Sequence, residues 1–494
     1  MSPHRSKSAP AHRPVCLGLS LLGAAFVLGG CAQVPESGPA PALRSADHFE
    51  SSRSLGAQAA AAAAWPTERW WRAYGDPQLD TLIDEALAGS PTLAQATARA
   101  RQAQAASAAA GSATKPQVSV NATAYEERLS ENFLYPQGYM PTGMNDYGRA
   151  SLDLHWDLDF WGRQRAALAA ATSQEQAAQA ELAQVRLLLA AGVAAEYAEL
   201  SRLHASRDTA EQALVLRSKT AELIGKRQAN GLETLGSLRH VQALVALAEG
   251  DRLALDEQLQ RQRLRIAALL GAGPDRALAI TRPALRADRA WGLPAQLGAD
   301  LLGRRPDVVA ARLAAQAGAS RVEQARAEYY PNVNLSAFVG VQALGLNLLG
   351  DSGSRIGGFG PAISLPIFTA GRLDAQLRGA QAAHAQAVAG YHAALSHALA
   401  EVADSAVALK ALDARLAKAQ EAVQASTDAH RVARNRYEGG LASYLEVLSA
   451  EDGLLRSLSA QTHLRALSLS LDIGLQRALG GGYRSPDPAA APRS

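Results

Sequence analysis

The sequence predicts a mainly α-helical chain that also carries β-strands of membrane-crossing length, and three observations predict it. Landmarks recur along the chain at one fixed offset. Each copy holds a long proline-free stretch with apolar residues at helical spacing. Each copy also holds short segments in which apolar and polar residues alternate.

The repetition is read from residue positions. Gly162-Arg163 recurs as Gly371-Arg372, an offset of 209. The same offset carries Arg227 and Gly231-Leu232 onto Arg436 and Gly440-Leu441, and Leu270-Gly271 onto Leu479-Gly480. Pro91 to Pro116 spans 25 positions, as does Pro306 to Pro331. The chain is a tandem duplication, with a first repeat over 65–285 and a second over 286–480.

Each copy reads as helix, two strands, long helix, shorter helix. Arg163 to Ala229 is 67 residues without proline, and Leu182, Val185, Leu189, Val193, Tyr197 and Leu200 step by three and four. The second copy repeats this with Leu395, Leu399, Val402, Ala406, Leu409, Leu412 and Leu416, giving long helices over 163–229 and 372–437. Each would be about 100 Å long at the α-helical rise. Gly231 and Gly440 supply left-handed caps at which the chain turns back. The returning helix, Leu232 to Leu270, has 39 residues, and the helix from Pro91 to Lys115 has 25. Stacked end to end, they match one long antiparallel partner. Ser90 before Pro91 is a helix start, with serine as cap and proline in the first position.

Strands are expected at about 117–125, 147–158, 332–341 and 359–368. Leu152, Leu154, Trp156 and Leu158 alternate with Ser151, Asp153, His155 and Asp157. Val333, Leu335, Ala337, Val339 and Val341 make a similar apolar face, as do Ile363, Leu365 and Ile367. One apolar and one polar face suits a barrel wall between lipid and water. Roughly ten residues suffice for a tilted strand to cross a bilayer. Four strands in lipid would leave unpaired backbone groups at both sheet edges, so several chains must share one closed barrel. The strand number alone permits two, three or four subunits.

The ends read as processing and tether segments. Arg5, Lys7 and Arg13 precede an apolar run from Val15 to Leu28, a secretory signal over 1–30. Leu28-Gly29-Gly30-Cys31 resembles the bacterial lipoprotein signal, which makes Cys31 the lipidation residue, and Ala32 resembles the signal for outer-membrane sorting. The chain has two cysteines, and Cys16 lies within the signal, so Cys31 has no partner for an internal disulfide. A tether over 31–64 and a flexible tail over 481–494 flank the repeats. The net charge of +3 equals the three signal-peptide cations, leaving the mature chain neutral. No basic stripe remains to neutralise phosphates, which excludes a nucleic-acid partner.

From Trp65 to Gly480 the residues resemble the TolC-like outer-membrane factor family, in its lipoprotein branch of efflux channels. The resemblance rests on Trp70-Trp71-Arg72 with Asp76-Pro77, on Asp159-Phe160-Trp161-Gly162-Arg163, and on Arg304-Arg305-Pro306-Asp307. Leu365-Pro366-Ile367-Phe368 and Arg436-Tyr437 complete it. It implies a homotrimer with a twelve-stranded barrel in outer-membrane lipid and a long helical barrel in the periplasm. It also implies docking to a periplasmic adaptor (a membrane fusion protein) and to an inner-membrane efflux pump of the RND type.

The same resemblance places function at the helix turns. The family's gate aspartate falls on Glu446 and its tethering tyrosine on Tyr437, while a second acidic gate position is Ser449 here. A single ring of glutamates in a narrow neck would attract cations and repel anions. Gly231-Leu232 and Gly440-Leu441 are the expected adaptor contacts. No enzymatic constellation is expected. His384, His392 and His397 lie on a long helix without acidic or cysteine partners at metal-ligand spacing, and no phosphate loop appears. No cofactor is implied beyond the covalent lipid at Cys31. Trp70 and Trp71 are expected to pack rather than bind. The remaining alternatives are a channel for type I protein secretion and, more distantly, a structural coiled-coil periplasmic lipoprotein. Membrane-length alternating strands count against the latter.

Overall fold

In the computed structural model the described residues are 41–44, 48–49, 64–130, 138–139, 141–286, 292–294 and 297–485. The expected signal segment and Cys31 lie outside them. The elements in order are α1 (Pro77–Gly89), α2 (Pro91–Ser112), β1 (Gln117–Arg128), β2 (Met144–Asp157), α3 (Arg163–Ala229) and α4 (Leu235–Leu269). There follow α5 (Leu297–Arg304), α6 (Pro306–Ala327), β3 (Asn332–Leu344), β4 (Arg355–Ser364), α7 (Arg372–Glu438) and α8 (Tyr444–Ala478). The duplication survives in the lengths: α2 and α6 have 22 residues each, α3 and α7 have 67, and α4 and α8 have 35. Among the described residues no helix is long and apolar enough to cross a membrane.

The chain divides into two compact units. The first, containing Ala103–Glu175 and Ala314–Ala387, carries the sheet. Its strands lie in the order β1-β2-β3-β4, all neighbours antiparallel. The register sorts the side chains cleanly because alternate residues point to opposite faces. Val118, Val120 and Ala122 lie opposite Leu154, Leu152 and Ala150. Those three face Ala337, Val339 and Val341, and Phe359, Pro361 and Ile363 of β4 extend the apolar face. Ser119, Asn121 and Thr123 share the other face with Asp153, Ser151 and Arg149. Where β2 gives way to α3, Asp159 turns with φ 46 and Gly162 with φ 79. The Asp159 carboxylate then accepts the backbone N–H groups of Gln164 and Arg165, each at 2.9 Å, capping the helix.

The second unit comprises Ala42–Gln102, Gln176–Leu313 and the chain from Val388 onward. Trp70, Trp71 and Tyr74 are buried among Leu79, Ile83 and Tyr197. Tyr197 donates to Asp76 at 2.8 Å, and Asp76 also takes the N–H of Ala284 at 2.7 Å, so the α1 cap is tied into the core. In the second repeat, buried Arg305 donates to Asp307 and to Glu401, both at 2.6 Å, leaving the guanidinium neutralised where water is excluded.

Several sequence expectations need correction. The fourth strand is Arg355–Ser364, not 359–368, and stops short of Leu365 and Ile367. Pro366 lacks the N–H that would continue the ladder, while Gly357 and Gly358 pair with Val339 and Phe338 at the other end. The first helix of the repeat ends at Ser112 rather than Lys115. Ser112 and Thr114 turn their hydroxyls back onto the carbonyls of Ala109 and Gly111, and Pro116 disfavours helix at Lys115. The returning helix starts at Leu235 rather than Leu232, because Thr234 caps it through the N–H of Ser237 at 3.0 Å.

The tail does not begin free at residue 481. Gly480, Gly481 and Gly482 all have positive φ, and a Cβ on Gly482 would strike the backbone at Thr67. Ser485 donates its N–H to the Gly303 carbonyl at 2.8 Å. The tether is likewise held in part: the Arg44 N–H donates to His392 Nε2 at 3.1 Å, Tyr391 donates to the Arg44 carbonyl at 3.2 Å, and Phe49 packs on a core cluster.

Candidate functional site: the helix turns and the polar sheet face

The two helix turns in the second unit have the same backbone. Gly231 and Gly440 both sit at φ 73. Leu232 donates to the Arg227 carbonyl at 2.8 Å and Leu441 to the Arg436 carbonyl at 2.7 Å. The glycine N–H groups bond the carbonyls of Gln228 and Tyr437, both at 3.0 Å, which completes a Schellman cap in each copy. Nothing lies within 4 Å of a Cβ built on either glycine, so φ alone demands the residue. The caps leave Leu232 and Leu441 63% and 72% exposed. An apolar side chain is thus held out at equivalent points of both turns.

Tyr437 is 2% exposed and lies among Ile224, Val241, Val447 and Leu448. Its hydroxyl donates to Glu233 at 2.7 Å, and the Arg227 guanidinium lies 4.5 Å from the ring centroid. Arg227 also donates to the Tyr437 carbonyl at 3.2 Å. Burial first, and then the Glu233 carboxylate, push the phenol above its ordinary range. Sequence reasoning singled out Tyr437 but missed Glu233 and Arg227. The available signal was Arg227 itself, a duplication landmark one turn before Gly231.

Glu446 is exposed in the first turn of α8, and its carboxylate accepts the Ser443 N–H at 3.3 Å. Arg436 approaches it at 3.7 Å. Ser449, one turn further, is exposed as well. Five residues beyond Glu446, Glu451 is 1% exposed and accepts the Thr220 hydroxyl at 2.6 Å. Burial raises its pKa, against the Thr220 hydrogen bond and Arg217, while Asp452 adds to the rise. One glutamate in a helical pattern carries no mark of burial, so its place in the core is not readable from residue spacing.

Among the described residues no group of three or more His, Cys, Asp or Glu is placed to hold a metal ion. His397 lies 3.8 Å from Glu401, and His392 is occupied by the Arg44 backbone. In the first unit, the polar sheet face gathers Asn121, Ser151 and Asp153: both side chains donate to the same Asp153 oxygen, at 2.9 and 2.8 Å.

The sequence profile of the family described as outer membrane efflux protein matches residues 82–272 and again 297–481. The multidrug resistance outer membrane protein MdtP of Escherichia coli (strain K12) is 32% identical over 474 residues, covering 94% of this chain and 96% of that protein. The fusaric acid resistance protein FusA of Burkholderia cepacia is 36% identical over 368 residues, 74% of this chain and 69% of that one. Among solved structures, the outer membrane protein VceC of Vibrio cholerae superposes with a TM-score of 0.81 at 46% identity, covering 85% of this chain and all of VceC.

Proposed function

The chain belongs to the outer membrane efflux protein family, and from that premise we propose that it is the passive exit duct of a tripartite efflux system. It is a channel protein of the outer membrane and not an enzyme. The observation that carries the reading is the four-stranded sheet, apolar on one face and polar on the other, with β1 and β4 each lacking an outer neighbour among the described residues. Lipid does not tolerate those two open edges. Three copies, β4 of one pairing with β1 of the next, give a twelve-stranded barrel with the polar face around water.

The remaining assignments complete the reading. Residues 1–30 are removed and Cys31 is acylated, anchoring a tether to the outer membrane. The repeats over 65–285 and 286–480 build the helical duct. Leu232 and Leu441, held out by Gly231 and Gly440, receive a periplasmic adaptor that recruits an inner-membrane pump of the RND type. Glu446 supplies the charged gate, and Tyr437 holds the turns together. The relatives' names, multidrug resistance and fusaric acid resistance, support small-molecule cargo over a secreted protein.

Reconstitution of the purified full chain into planar bilayers tests the reading. Pores of uniform conductance are expected; a protein that binds the bilayer without passing current contradicts it.

A further inference from the structure

We propose that Glu451 is a second latch at the mouth of the duct: as a neutral carboxyl it holds α8 against α3, and it releases a proton when the two helices part. The inference rests on the reading of the helix turns as the gate.

Thr220 and Glu451 continue the Tyr437 cluster by one helical turn. Ile224 and Val447 are buried in that cluster, 1% and 2% exposed. Thr220 and Glu451 stand four residues from them, on the same faces of α3 and α8. The Thr220 hydroxyl donates to Glu451 Oε2 at 2.6 Å, so the bond joins a helix of the first repeat to one of the second. The other carboxyl oxygen, Oε1, is buried and has no hydrogen-bond partner.

The charges around the pair leave Glu451 without a counter-ion. Arg217 of α3 acts on it from a distance but pairs with Asp452 at 2.9 Å. Asp251 of α4 and Arg456 of α8 line the cleft beside that ion pair. On the other flank α7 packs on α8 through the Ser426 and Ser457 hydroxyls, 3.0 Å apart. His430 of α7 is buried, and burial and the Arg434 charge hold its pKa down, so it brings no charge. Among the described residues Glu451 makes no ion pair. An ionised carboxylate with one hydroxyl donor is costly where water is excluded, and the neutral acid far less so. Burial accordingly raises the Glu451 pKa; the Thr220 bond and Arg217 lower it, and Asp452 adds to the rise.

Once α8 leaves α3 the carboxyl meets water and returns to the ordinary glutamate value of about 4.3. Between that value and the raised one, the latched state holds one proton more per protomer than the parted state. Rising pH in this window therefore favours parting, by about tenfold per pH unit for each protomer. Below the window both states are protonated and the latch is at full strength. Above it both are ionised, and the gain levels off.

The test uses the full chain in planar bilayers, with open probability read from about pH 5 to about pH 8, inside the window that the sign of the linkage defines. In the unsubstituted protein open probability should climb with pH. Glu451→Gln keeps an acceptor for Thr220 and has no proton to lose, so it should stay at the acidic level throughout. Thr220→Val removes the bond and leaves the carboxyl, so open probability should be several-fold higher at acid pH and still climb. An identical climb in Glu451→Gln overturns the latch, as does an unaltered open probability in Thr220→Val. A current that ignores pH in the unsubstituted protein also overturns the latch and leaves the duct standing. Absence of any current overturns the pore reading itself, and the latch with it.

Discussion

The Tyr437 hydroxyl lies 2.7 Å from Glu233, so the last turn of α7 is fastened to the turn between α3 and α4. The two residues belong to different repeats, and the bond joins the two helix turns within one protomer. Tyr437→Phe removes that bond and keeps the ring beneath Arg227. An unsatisfied Glu233 can turn to water, so the stability cost is about 1 kcal/mol. The duct should become leakier, seen as a higher basal single-channel conductance. An unaltered conductance would remove Tyr437 from the gate.

Glu446 combines a charge with a cap, and two substitutions separate them. Glu446→Gln retains an oxygen for the Ser443 N–H and loses the charge, so cation preference should weaken while thermal stability holds. Glu446→Ala should lose both, with a capping cost of about 1 kcal/mol. Reversal potentials under a salt gradient measure the first effect and thermal melts the second. Unchanged selectivity in both variants would leave Glu446 only its capping role.

How much of this was legible from the sequence depended on whether the determinant was local. The duplication, the long helices and the caps at Gly231 and Gly440 were readable because spacing and a single residue type specify them. Glu233 and Arg227 were missed as partners of Tyr437 because the contact spans some two hundred positions and leaves no local pattern. The fourth strand was displaced because Gly357, Gly358 and Gly360 have no side chains to alternate. Gly480 to Gly482 read as a loose tail by composition, although their positive φ angles pack the chain tightly.

Two groups of the second unit should answer pH in opposite directions. Burial, then the nearby Arg44 and the weaker His48 charge, hold His392 below the ordinary histidine range, while a bond to the Ala42 carbonyl opposes them. A histidine so depressed contributes its docking fully above its unfolded pKa and loses it as pH falls through the folded value. Proteolysis within residues 42–49 should therefore quicken on acidification and cease to depend on pH in His392→Ala. Glu451 is raised instead, so its contribution is complete below the unfolded glutamate value and is lost as pH rises through the folded one. Glu451→Gln, which still accepts from Thr220, should flatten the decline of the melting temperature on that alkaline side; an identical slope would contradict the assignment.

The turns offer a test that separates backbone geometry from docking. Gly231→Ala and Gly440→Ala force alanine to φ 73 and should each cost about 1 kcal/mol without altering the surface. Leu232→Asp and Leu441→Asp leave the caps intact and place charge on the exposed apolar points. Drug resistance should fall in the aspartate variants while trimer yield stays constant. Normal resistance in both would argue against adaptor docking at the turns.

The closing of the sheet edges is the central claim, and the mass of the detergent-solubilised full chain tests it most directly. Native mass spectrometry should return three protomers, with end views in negative stain showing a hollow ring. A protomer that stays monomeric in detergent would leave β1 and β4 unpaired in lipid and contradict the shared barrel.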